Sequence, residues 1–85
     1  MENVYENLNE QAEKLNTLIA RYQHDNDLEI SEQESFAAEL VNFKNNVEVL
    51  KMRGIPVKSI EKNYVENYEA WAQEMIAEPS LINEI

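Results

Sequence analysis

Apolar residues recur along this chain at helical intervals, and no alternating run is long enough to suggest a strand. In the first segment Val4, Leu8, Leu15, Leu18 and Tyr22 follow a 4-3 rhythm interrupted at Gln11, with Tyr5, Ala12 and Ile19 widening the stripe. This predicts a helix over about residues 3–24. His24-Asp25-Asn26-Asp27 then reads as a polar turn. Ser31-Glu32-Gln33-Glu34 fits a capping box, in which Ser31 and Glu34 satisfy the free amides of a new helix. Phe36, Leu40, Phe43, Val47 and Leu50 keep the same rhythm. Lys51 and Arg53 lie where positive charge complements a helix C-terminus, and Gly54 offers a left-handed cap, so the second helix spans about 31–53.

Ile55-Pro56 resets the backbone, because the residue before a proline avoids helical geometry while proline itself suits a first helical turn. A third stripe follows, made of Ile60, Tyr64, Tyr68, Trp71 and Met75 and flanked by Val65, Ala72 and Ile76. It predicts a helix over about 58–77, limited by Pro79. Trp71 belongs to the core seam. The tyrosine hydroxyls and the indole N–H need partners, which places that seam near the water boundary. Residues 80–85 have the length of one more helical turn, whose Leu81, Ile82 and Ile85 close the end of a bundle or reach for a partner. The expected fold is all-α, an antiparallel three-helix bundle forming one domain over residues 1–85.

Length and composition narrow this further. Eighty-five residues give one modest core, and with no Cys the fold has neither disulfides nor thiolate metal sites to staple it. Helix packing must supply the stability, across a subunit interface if the chain is a homo-oligomer. The first ten residues are acidic and lack the basic and apolar regions of a secretory signal. No apolar run is long enough to span a bilayer, so the expected location is the cytoplasm.

Charge is the most uneven property. The net charge is −10, yet residues 1–43 carry −8, residues 44–62 carry +3 and residues 63–85 carry −5. Five of the seven basic residues, Lys44, Lys51, Arg53, Lys58 and Lys62, fall in the middle stretch. Glu2, Glu6 and Glu10 recur at i,i+4 on the first helix, as do Glu74 and Glu78 on the third, and only Glu10 with Lys14 makes an offsetting pair in that first row. Each like-charged pair costs roughly 0.2–0.5 kcal/mol in an isolated helix, so a chain that keeps several can use the field for solubility, steering or docking.

Little points to catalysis. The one His, His24, sits in the polar turn with no apolar shield. Asp25, Asp27 and Glu29 alternate as calcium-loop ligands do, but the sixth position is Ile30 rather than Gly and the twelfth is Phe36 rather than Glu. No enzyme, cofactor or metal is therefore expected. Lys51 to Ile60 loosely matches the turn of a helix-turn-helix protein. The helix that would enter the groove, however, carries Glu61, Glu66, Glu69, Glu74 and Glu78, and phosphate would repel it. Dipole-complementing charges at a helix joint explain the basic cluster more simply.

A basic protein partner suits the acidic arms better, with carboxylates placed where a nucleic acid or nucleotide would put phosphate. The candidate partner-binding residues are Glu2, Tyr5, Glu6, Glu10, Glu13, Tyr22, Glu74 and Glu78, and the alternative is the basic patch Lys44, Lys51, Arg53, Lys58 and Lys62. An acidic first helix, a capped second helix and Tyr68-Glu69-Ala70-Trp71 in the third give a chain that resembles, in the order of its elements rather than in any diagnostic motif, the small epsilon-type antitoxins of zeta toxins. That resemblance implies an N-terminal helix that blocks a toxin's nucleotide site, a role falling here on Glu2 to Glu13. Small acidic immunity proteins and phage-encoded inhibitors of host defence share the description. The expected function is thus a non-enzymatic inhibitor of a basic or nucleotide-binding protein, with a self-assembling structural module and a nucleic-acid binder as alternatives.

Overall fold

The computed structural model describes residues 4–77 and 81–82. It is an all-α three-helix bundle with principal extents of 39 × 22 × 22 Å. Helix α1 is Val4–Asp25 and α2 is Ile30–Met52. The third helix, α3, comprises Lys58–Ile60, a π-helical turn Glu61–Val65, and Glu66–Met75. Interhelical pairs fix the direction of each element. Arg21 meets Glu32 and Lys14 meets Glu39, so α1 and α2 are antiparallel; Lys44 meets Glu69, and Gln33 near the start of α2 bonds Ala77 just past the end of α3, so α2 and α3 are too. A helix-turn-helix crosses its helices steeply. Here the Lys51–Ile60 segment instead joins two antiparallel neighbours.

Helix ends follow from backbone chemistry. Asn26 adopts φ 60° and its N–H donates to the Tyr22 carbonyl at 2.7 Å, closing α1 with a left-handed residue that Asn tolerates through its short polar side chain. At the end of α2, Gly54 takes φ 80° as expected. Its N–H donates to Lys51 O at 3.0 Å while that of Ile55 donates to Leu50 O at 3.1 Å, the paired bonds of a Schellman cap.

The start of α2 corrects one expectation. The N-cap is Glu29 rather than Ser31, and the Glu29 N–H donates to Glu32 Oε1 at 3.1 Å, so Glu32 takes the part assigned to Glu34. Tertiary contacts select this register: Leu28 is buried, and the other oxygen of Glu32 pairs with Arg21 of α1. Ser31 and Glu34 are both exposed inside the helix.

One apolar cluster runs the length of the bundle, with Leu15, Phe36, Leu40, Leu50 and Tyr68 excluded from water. Polar residues on the stripes are matched across helices: Gln11, which interrupts the α1 rhythm, accepts from Asn46 Nδ2 at 3.0 Å. Aromatic edges meet at Phe43–Tyr68, with centroids 5.5 Å apart, and at Tyr22–Trp71, 6.2 Å apart. Of the seam placed near the water boundary, Tyr68 lies instead in the dry interior, while Trp71 is half-buried and Tyr64 exposed. The Tyr68 hydroxyl is satisfied by donating to Asn16 Oδ1 at 3.0 Å.

The π-turn changes the face that α3 buries. The Glu66 N–H reaches back five residues to Glu61 O, which admits one extra residue to the turn. Val65 then enters the core after Ile60, followed by Tyr68, Ala72, Met75 and Ile76, while Tyr64 swings out to 49% exposure. A strict 3.6-residue period had put Tyr64 in the seam. The helix also ends earlier than expected, at Met75 rather than residue 77, because Ile76 turns extended and the Ala77 N–H is taken by Gln33 Oε1 at 3.0 Å. Leu81 and Ile82 are helical and pack half-buried against the cluster, closing the bundle end; the rest of the tail lies outside the described residues.

Candidate functional site

Antiparallel packing divides the sequence-derived candidates between the two ends of the molecule. Tyr5, Glu6, Glu10 and Glu13 occupy the N-terminal half of α1, beside the end of α2 and the start of α3. Glu74 lies at the opposite end, near the α1–α2 turn, because Gln33 ties that turn to Ala77. The two acidic rows therefore do not make one patch. Glu2 and Glu78 lie outside the described residues. Tyr22 is half-buried with its ring edge-on to Trp71, whereas Tyr5 is 53% exposed.

The basic set is divided as well. Lys44 stands within α2 at 3.5 Å from Glu69, about two turns from the joint. Lys51 and Lys58 flank a shallow groove of about 340 Å³ around Ile55, Pro56 and Ser59, and Glu61 lines the same groove. Arg53 and Lys62 are exposed beside it. Three cations, Lys14, Arg21 and Lys44, are taken up in pairs between helices, with Lys14 at 3.6 Å from Glu39 of α2 rather than matched to Glu10 on its own helix.

What remains is an excess of exposed carboxylates. Glu10 and Glu13 on α1, Asp25, Asp27 and Glu29 around the turn, Glu34 on α2 and Glu74 on α3 are all exposed. Among the described residues, the side-chain partner shown for an acid in the turn is His24, whose Nδ1 lies 2.7 Å from Asp25 Oδ1 and holds that carboxyl below its ordinary value. No group of three His, Cys, Asp or Glu among the described residues is placed to hold a metal ion. No described helix is long and apolar enough to cross a membrane.

A concavity lies between α1 and the first half of α3. It has a volume of about 460 Å³, with Leu8, Ala12, Phe43 and Ile60 as an apolar floor, Tyr5 and Tyr64 as exposed aromatic rims, and Asn9, Glu13 and Asn16 as its polar lining. Tyr5 was a candidate from sequence; Tyr64, Ile60 and Ala12 were assigned to the core. The outward turn of Tyr64 has no local signal, since Ile60 and Tyr64 are four residues apart as in a regular stripe. Comparison of the chain with protein-family models, with curated proteins and with solved structures finds no match.

Proposed function

We propose that this protein is a small acidic binding module, non-enzymatic, that inhibits a partner by covering its basic surface, as antitoxins, immunity proteins and anti-defence inhibitors do. The observation that carries this reading is the fate of the charges on folding. Three of the seven cations are drawn into interhelical pairs, while the carboxylates of Glu10 and Glu13 stay exposed on α1 at a net molecular charge of −10. Such a field speeds encounter with a basic surface and disfavours polyanions.

The test is affinity capture from a native lysate at low and at raised salt, followed by mass spectrometry. The expected result is a basic protein whose retention falls as salt rises and is lost when Glu6, Glu10 and Glu13 are together changed to Lys. Retention unaffected by those three reversals removes the acidic face of α1 from the mechanism.

A further inference from the structure

The groove between α1 and α3 exists because the π-turn turns Tyr64 away from the core. Two large aromatic side chains, Tyr5 and Tyr64, 53% and 49% exposed, stand beside an apolar floor. Along α1 the lining runs through Tyr5, Leu8, Ala12 and Asn16, steps of three and four residues over roughly 16 Å. A wall of that length is matched by about three turns of a helix laid along it.

Charge decides what kind of helix fits. Glu13 lines the groove, Glu6 stands seven residues earlier on the same side of α1, and no Lys or Arg lines the groove at all. A second copy of this chain would bring a net −10 against that wall. We infer that the groove seats one amphipathic helix of a basic partner, its apolar stripe on Leu8, Ala12 and Ile60 between Tyr5 and Tyr64 and its Lys or Arg flank against Glu13. This rests on the proposed binding of a basic protein and adds the mode of docking.

Two synthetic peptides of about eighteen residues, five helical turns, test the inference. Both contain only Leu, Ala, Gln and Lys in equal amounts; one has its Leu residues in a stripe and the other has them scattered. Each is titrated into the isotope-labelled protein at physiological salt while backbone amide shifts are followed. The striped peptide is expected to bind at least about tenfold tighter than its isomer, with the largest shifts at Tyr5, Ala12 and Tyr64. Changing Tyr5 and Tyr64 to Ala should abolish that preference in a protein that circular dichroism shows is still helical and cooperatively folded.

Equal binding of the two peptides, with shifts confined to the acidic residues, overturns the groove and leaves the acidic docking face standing. No binding of either peptide overturns the groove, and the lysate capture then decides separately whether a basic partner exists. Concentration-dependent dimerisation of the protein alone, with shifts at Tyr5 and Tyr64, shows the groove covered by a second copy and overturns the inference in favour of self-assembly.

Discussion

Gln33 ties the α1–α2 turn to the end of α3 through hydrogen bonds. It is 4% exposed, donates through Nε2 to the Leu28 carbonyl at 2.9 Å, and accepts from the Ala77 N–H at 3.0 Å. Truncation to Ala orphans a carbonyl in the α1–α2 turn and an amide at the end of α3, so Gln33→Ala should lower stability by about 1–3 kcal/mol in urea unfolding. A smaller loss would mean that water replaces the side chain. Tyr68 gives the clearest pH dependence. Burial, with Tyr64 nearby adding to the effect and the bond to Asn16 opposing it, pushes its phenol above the ordinary 10.0. The folded state then holds the proton more tightly than the unfolded one. The stability this contributes is intact below about pH 10 and is lost as pH rises through the raised folded value. Urea midpoints should fall along that alkaline limb, and the fall should be shallower in Tyr68→Phe.

At the scale of the element, α3 carries one residue more than a regular helix needs between Ile60 and Val65. Deleting exposed Asn63 should therefore let the π-turn become an α-turn while Ile60 and Val65 keep their places, leaving a cooperative fold within roughly 1 kcal/mol of the parent by urea titration. Deleting exposed Asn45 from α2, which has no spare residue, should turn Val47 and Leu50 by about 100° and abolish cooperative unfolding. Equal damage from both deletions would show that the π-turn is not an accommodated insertion. The stripes of α1 and α2 were legible because their buried residues keep one helical phase, and Gln33 lies in that phase too, three residues before Phe36 and seven before Leu40. The π-turn was hidden because a search at fixed period assigns the extra residue to the core. The Glu29 cap was hidden because Ser31 and Glu34 are the better local box, and only the pairing of Glu32 with Arg21 across helices reverses the choice.

For the molecule as a whole, like-charge repulsion competes with three interhelical ion pairs. Lys14–Glu39, Arg21–Glu32 and Lys44–Glu69 all involve solvent-accessible side chains, for which about 0–1 kcal/mol each is typical. Against them stands a net −10 on a chain whose radius of gyration is 13.0 Å. Repulsion should dominate, so raising sodium chloride from about 20 mM to about 500 mM, which shortens the screening length several-fold, should raise the melting temperature. A fall would show that the interhelical pairs outweigh the net repulsion.

The sequence by itself determined three helices, their approximate limits, the Gly54 cap and the uneven distribution of charge, because helical period, backbone stereochemistry and formal charge are local properties read in order along the chain. Only the tertiary structure decided which carboxylates share a face, which cations are spent between helices, and that Tyr5 and Tyr64 frame a groove with Glu13 on its wall. Those depend on distances between residues on different helices, which antiparallel packing and one extra residue in α3 set and no local pattern contains.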